Sequence, residues 1–257
     1  MYTQEDVKKV QQRLLEMAIV VRDILENHRI PYFLAYGTLL GAVRHKGFIP
    51  WDDDFDFYLF DDSYEDGMNA LRNQLPSDMF LEDSCSEPLY FHGWAHVKDL
   101  FTKTECGLYP QDGKYAHQGL YLDLYKIKKM PLSEVNSYRF EENMAYLKRR
   151  MEKGLISHED FAQKYGLLLE KKELLNPVTD NKIVFATVLP ILEKIDYDDI
   201  IPLKKYIFEG HDFYGPNNAD SFLSQRYGNY MKLPPPEDQK THYSSVQFLE
   251  RTKEITC

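Results

Sequence analysis

The sequence predicts an α+β fold in which a mixed β-sheet core is flanked by helices and extended by a helical insert. Three observations predict it. An apolar stripe at helical spacing opens the chain, short segments of strand character recur between residues 32 and 127, and a charge-rich helical signal runs from Ser133 to about Lys194. With 257 residues, 43% of them hydrophobic and including 19 Tyr and 15 Phe, the chain can bury a sizeable core.

The opening stripe is Val7, Val10, Leu14, Met17, Val21, Ile24 and Leu25, one face of an amphipathic helix with Thr3 as its N-cap. Pro31 ends that helix, and the apolar run from Tyr32 to Tyr36 follows as a strand. Gly37-Thr38-Leu39-Leu40-Gly41-Ala42-Val43-Arg44 reads as a tight turn opening a short helix capped by Thr38, with Gly41 permitting close backbone packing. A loop covers 45–50, a strand 52–60 and a helix 63–75, the last with Tyr64, Met68, Leu71 and Leu75 on one face.

Further strands are expected at 79–82, 91–98 and 119–127. In the last, Leu120, Leu122 and Leu124 alternate with Tyr121, Asp123 and Tyr125, so Asp123 lies on the polar face. Ser133 and Ser157 are N-cap candidates, and Phe140, Met144, Leu147 and Met151 form a helical stripe. The final part holds a segment at 208–216, a helix near 220–227 stopped by Gly228, and the prolines 234–236.

Charge and composition exclude several classes. A net charge of −10 argues against nucleic acid as a partner, because a general binder needs a basic face. No stretch approaches the roughly 18 consecutive apolar residues of a transmembrane segment. The polar, acidic start Met1–Asp6 does not read as a secretion signal. Cys85, Cys106 and Cys257 are odd in number and far apart, which suits a reducing cytoplasm and offers no zinc spacing.

Chemistry concentrates in Trp51-Asp52-Asp53-Asp54-Phe55-Asp56. On a strand, Asp54 and Asp56 share one face while Phe55 and Phe57 point to the core. Paired carboxylates raise each other's pKa unless a cation lies between them, and magnesium favours a few carboxylates with positions left for water and phosphate. The competing reading is a solvated acidic loop, which the aromatic alternation disfavours. A calcium loop of EF-hand type fails because Leu59 stands where glycine is required. A glycine turn at a helix start, here Gly37-Thr38, can present backbone N–H groups to phosphate. Asp123 is placed to be a third carboxylate on a neighbouring strand; a buried ion pair is the alternative.

The order strand, Gly-Thr turn, helix, loop and Asp-x-Asp strand resembles the nucleotidyltransferase fold. The stretch from Tyr36-Gly37-Thr38-Leu39-Leu40-Gly41 through His45-Lys46-Gly47-Phe48-Ile49-Pro50-Trp51 to Asp56 resembles the signature of the LicD family. That family includes bacterial phosphocholine transferases and is related to fukutin-type ribitol-phosphate transferases. Gly119–Leu124 resembles its third-aspartate strand, Arg226–Met231 with Leu233-Pro234-Pro235 its C-terminal motif, and His242 a histidine that often follows it. The sequence departs from the family pattern at Leu124–Lys128 and at Asn229, where Asp is usual.

The resemblance implies a nucleotidyltransferase-like catalytic core over 1–130, a helical insert over 131–200 and a C-terminal segment over 201–257 that completes the site. It implies transfer of phosphocholine or a similar group from a CDP-linked donor to a hydroxyl of a cell-surface glycan of the capsule, lipopolysaccharide or teichoic acid kind. The acceptor can be lipid-linked, which would bring the enzyme to the inner membrane face. Asp54, Asp56 and Asp123 would hold magnesium or manganese, with Asp123 also able to accept the acceptor's proton, and Gly37 and Thr38 would cradle a donor phosphate. By side-chain chemistry Arg44 and Lys98 are the countercharge candidates, with ordinary surface pairing as the alternative, and His242 either contacts phosphate or hydrogen-bonds the loop. The stretch Tyr90-Phe91-His92-Gly93-Trp94 offers either a cation-binding face or core packing. Two other functions stay open: a nucleotidyltransferase that releases pyrophosphate from an NTP, and a non-catalytic nucleotide or glycan binder.

Overall fold

A computed structural model of the chain describes residues 2–106, 114–173 and 178–250. Cys257 and the side chain of Cys106 fall outside the described residues, and Cys85 is exposed as a free thiol. The architecture is mixed α+β, with seven strands in one sheet and two small two-stranded sheets beside it.

Helix α1 (Gln4–Asn27) is capped reciprocally: Asp6 N donates to the Thr3 hydroxyl and Thr3 N to the Asp6 carboxylate. Its expected stripe is buried along the full length. Strand β1 (Tyr32–Leu34) leads into helix α2 (Tyr36–Arg44), strand β2 (Asp56–Phe60) and helix α3 (Asp61–Gln74). Strands β3 (Met79–Glu82), β4 (Ala95–Asp99), β5 (Thr102–Cys106) and β6 (Tyr121–Pro131) follow.

The sheet order is β1-β2-β6-β4-β3, with β2 and β6 parallel and the other pairs along that path antiparallel. The eleven residues of β6 span two neighbourhoods: its first part pairs with β2 and β4, its end with a hairpin of β7 (Ile183–Thr187) and β8 (Glu193–Asp196). Register partners Leu34, Phe57, Leu124 and Ala95 form an apolar row, continued by packing of Phe55 and Phe57 on Phe208 and Phe213. The last two aromatics come from a hairpin of β9 (Lys204–Phe208) and β10 (His211–Gly215). Helix α6 (Tyr197–Ile200), helix α7 (Ala219–Tyr227), stopped by Gly228 at φ +63°, and strand β11 (Tyr243–Phe248), paired with β5, complete the chain.

Several expectations are corrected. Thr38 is not the cap of α2. The cap position is Ala35, without a side-chain bond, and Thr38 sits inside the first turn, where its hydroxyl accepts from Asp56 N at 2.9 Å. Residues 52–55 are irregular and β2 begins at Asp56: the Asp52 carbonyl binds α1 and the Asp53 carboxylate the C-terminal segment, and pairing with β6 starts only where the Phe55 carbonyl accepts from Asp123 N at 3.0 Å. The strand expected from Phe91 starts at Ala95: Tyr90 OH donates to the Trp94 carbonyl and Arg149 Nε to that of Phe91, which folds this stretch on itself.

The helical reading holds for α4 (Val135–Glu152) and for α5 (His158–Glu173), whose Ser157 cap forms as expected. It fails at β7 and β8: Ile183-Val184-Phe185-Ala186-Thr187 is β-branched and aromatic, a composition that favours a strand, and it pairs with β6 and β8. The Ser133 hydroxyl bonds Asn181 rather than capping α4.

Gly41 approaches the following loop closely: a Cβ there would meet the Gly47 carbonyl oxygen at 2.4 Å. In an open helix Gly→Ala gains about 1 kcal/mol, whereas overpacking costs roughly 1–3 kcal/mol. The contact is with backbone, which cannot rotate aside, so overpacking wins. Gly41→Ala is expected to lower the urea unfolding midpoint; a raised midpoint would contradict the packing assignment.

Candidate active site

The acidic run is fixed from both sides. Gln11 on α1 donates to the carbonyls of Ile49 (3.1 Å) and Asp52 (2.7 Å). Asp53 is wholly buried and ties the run to the C-terminal segment. Its Oδ1 accepts from His242 N at 2.7 Å and lies 3.0 Å from His242 Nδ1, while its Oδ2 accepts from Tyr243 N at 3.3 Å. Phe55 anchors the run from beneath, in the aromatic cluster. The carboxylates of Asp52, Asp54 and Asp56 then line one cleft of about 350 Å³.

Burial and mutual repulsion shape their protonation. Asp52 is pushed well up by burial and by Asp54, and Asp56 by burial, Asp54 and Asp123. Asp54 is raised as well, chiefly by burial, with His242 opposing. His242 is itself pushed up to about 10 by the charge of Asp54 and its bond to Asp53, against its own burial. Its Nε2 lies 3.5 Å from Asp54 Oδ2. On β6, Asp123 is the register partner of Asp56, and its Oδ1 accepts from Trp94 Nε1 at 2.6 Å and contacts His96 Nε2 at 3.1 Å. Although burial favours the neutral imidazole, Asp123 and Glu82 hold His96 up at about 9.

This arrangement fits a metal cation. Ligand atoms of Asp52, Asp54 and His242 lie within 4.8 Å of one another, and the buried Asp54 Oδ1 has no hydrogen-bond partner. Asp52 and Asp54 supply hard oxygen ligands of the kind magnesium and manganese accept, with the His242 ring beside them. The set differs from the expected trio: Asp52, which is not among the expected ligands, lines the cleft beside Asp54.

Among the other expected residues, Gly37 and His242 line the cleft. The space beside Gly37 holds a carboxylate, since a Cβ there would meet Asp52 Oδ2 at 2.7 Å. Thr38 and Arg44 are not among the cleft-lining residues. Thr38 is buried beneath Asp56, and Arg44 donates to the Tyr230 carbonyl at 2.6 Å. Lys98 is buried too, its Nζ 3.4 Å from Glu82 and over the Tyr121 ring, which removes it from the donor contacts. Tyr90 and Phe91 are core, and the Phe91 ring meets the Arg150 guanidinium at 5.5 Å.

The cleft's positive charge comes instead from Arg226 and Lys240. Arg226 Nη1 bonds Glu193 at 2.6 Å, and its guanidinium stacks over Tyr36 at 4.4 Å. Arg226 and Tyr227 belong to the C-terminal segment expected to complete the site, although no sequence feature singles out Arg226 as the cleft's cation. Lys240 carried no signal.

Residues 29–152 match the LicD/FKTN/FKRP nucleotidyltransferase domain. Over 248 residues, covering 88% of this chain and 91% of the relative, the sequence is 28% identical to the lipopolysaccharide cholinephosphotransferase LicD of Haemophilus influenzae. An uncharacterized protein of Rickettsia prowazekii is 29% identical over 57% of this chain and 59% of its own length. Another, from Rickettsia typhi, is 29% identical over 45% and 38% respectively. Among the described residues no helix is long and apolar enough to cross a membrane.

The clasp at Asp53 has a measurable consequence. Asp53→Ala removes acceptors for two backbone amides and an imidazolium, each hydrogen bond to a charged group being worth about 1.5–3 kcal/mol. Amide hydrogen exchange at His242 and Tyr243 is expected to accelerate by at least about tenfold relative to wild type. Unchanged protection at both amides would show that the segment is held by other contacts.

Proposed function

We propose, from the premise that this chain belongs to the LicD family, that it is a phosphotransferase moving phosphocholine from a CDP-linked donor to a hydroxyl of a lipopolysaccharide-type glycan. The observation that carries the proposal is the gathering of Asp52, Asp54 and Asp56 in one cleft with Arg226 and Lys240, beside Asp123 on the paired strand. The match over residues 29–152 supports a nucleotidyltransferase-like core in the first part of the chain, and we keep 1–130 as that core, 131–200 as its insert and 201–257 as the segment completing the site as part of the proposal.

Asp54 and Asp56, with Asp52 and Asp123 beside them, are the residues that would hold magnesium or manganese, while His242, an imidazolium against Asp53 and Asp54, would balance part of their charge. When bound, the metal supplies positive charge against the donor diphosphate and the charge that develops on it. Arg226, anchored through one nitrogen to Glu193, offers a planar cation to a phosphate, and Lys240 a mobile one. Tyr36, Tyr125 and Trp51 present aromatic surface in the same cleft for the rest of the donor.

In the transfer, the acceptor oxygen forms a bond to the phosphorus of phosphocholine and the bond from that phosphorus to CMP breaks. The acceptor proton passes to a carboxylate, for which Asp123, on the strand paired with that of Asp56, is the residue proposed. The donor's cytidine monophosphate leaves with the electron pair of the broken bond. The reaction would occur on the cytoplasmic side, with a lipid-linked acceptor presented at the membrane face.

Asp54→Asn and Asp56→Asn are each expected to lower transfer from CDP-choline in the presence of magnesium by roughly 100-fold or more, exceeding the 10–100-fold loss typical of an outer-shell partner. Arg226→Ala is expected to raise the KM for CDP-choline. Full activity in either aspartate variant would end the metal assignment, and release of pyrophosphate from CTP or ATP would favour nucleotidyl transfer instead.

A further inference from the structure

We infer that Trp94 and His96 are positioning residues for Asp123, holding its Oδ1 so that Oδ2 is the oxygen turned toward the reaction. The inference rests on the phosphotransferase reading of the cleft. Both donors fall on the same oxygen, Trp94 Nε1 at 2.6 Å and His96 Nε2 at 3.1 Å. A carboxylate turns about a broad, two-fold torsion, and two donors converging on one oxygen fix it. If the donors served only to make burial of Asp123 tolerable, nothing would require them to share an oxygen.

Each donor is itself locked. The indole N–H can only donate. Its residue is held by the Tyr90 hydroxyl, which donates to the Trp94 carbonyl at 2.8 Å, and by ring packing on Tyr125 at 5.1 Å. The His96 ring stacks on Tyr121 at 4.4 Å, and its Nδ1 lies 3.2 Å from Glu82 Oε2. Glu82 in turn meets Lys98 Nζ at 3.4 Å. Lys98, Glu82, His96 and Asp123 thus form a buried chain of alternating charge across β4, β3 and β6.

The register explains the alignment. Glu82 pairs with His96, His96 with Asp123, and Asp123 with Asp56, so one row of side chains crosses four strands and ends at the cleft. A partner at the far end is therefore coupled to the metal-facing end through three contacts.

The test uses the full chain and two conservative variants, Trp94→Phe, which keeps the ring and removes the N–H, and His96→Gln. Manganese dissociation constants would be measured by electron paramagnetic resonance, beside transfer from CDP-choline and thermal unfolding. The expected result is a dissociation constant raised about 10–100-fold in each variant while circular dichroism stays that of the folded protein. The chain has two tryptophans, so the Trp94 indole proton can be assigned by its loss in Trp94→Phe. Its exchange with solvent is expected to be slow in wild type and faster in Asp123→Ala.

Folded variants that bind manganese as tightly as wild type would overturn the inference, and transfer by wild type in the same experiment would leave the functional proposal standing. Weakened binding in both variants without transfer from any CDP-linked donor would support the inference and remove the proposed reaction. A wild-type chain that binds no manganese overturns the inference outright.

Discussion

The parallel pairing of β2 with β6 is the constraint on which the rest of the site depends. It sets Asp56 beside Asp123 and, in the adjacent register, Phe57 beside Leu124. Because side chains alternate along a strand, a slip of one residue would send carboxylates into the apolar row and phenylalanine into the cleft. The cost of burying charge in that row would be far larger than any single hydrogen bond could offset. The apolar row from Leu34 through Phe57 and Leu124 to Ala95 therefore fixes the charged row from Asp56 through Asp123 and His96 to Glu82. Core packing and site geometry are two faces of one register.

Closure of the cleft depends on a second, very non-local contact. Asp53 and His242 are 189 residues apart in sequence, and their bonds draw the C-terminal segment onto the acidic run. The same segment pairs through β11 with β5 and brings Lys240 to the cleft, while α7 brings Arg226. The acidic run belongs to the start of the chain and its countercharges to the end. Neither half has a balanced site alone.

That division explains what could be read from sequence. Periodicity gave α1, α3, β3 and the polar face of β6, because those patterns are local and strongly amphipathic. The Asp-x-Asp segment stood out in the sequence because few roles other than a site suit carboxylates flanked by alternating aromatics, whereas the placement of Thr38 beneath Asp56 depends on tertiary contacts that no local pattern shows. Lys98 was misread because a lysine in a strand carries no sign of a buried glutamate on the next one. Asp52 and Asp53 are indistinguishable by type, yet one faces the cleft and the other is a wholly buried latch, a difference decided by residues 242 and 243. Strand β7 was legible in the β-branched run Ile183–Thr187 but was overshadowed by the charged helical signal on either side of it, and β8, Glu-Lys-Ile-Asp, depends on pairing with β7.

The electrostatic balance of the cleft gives the chemistry its direction. Asp52, Asp54 and Asp56 are each raised by burial, and part of that cost is offset by His242, at about 10, and by the nearby Arg226. The offset is incomplete, since the Asp54 Oδ1 atom is buried without a hydrogen-bond partner. A bare diphosphate entering this cleft meets like charge, in a protein whose net charge is already −10. A diphosphate that shares a divalent cation with the carboxylates meets the opposite sign instead. The acidic cluster that repels the free anion is thus what would select the metal-bound form of the donor, leaving Arg226 and Lys240 to orient its phosphates.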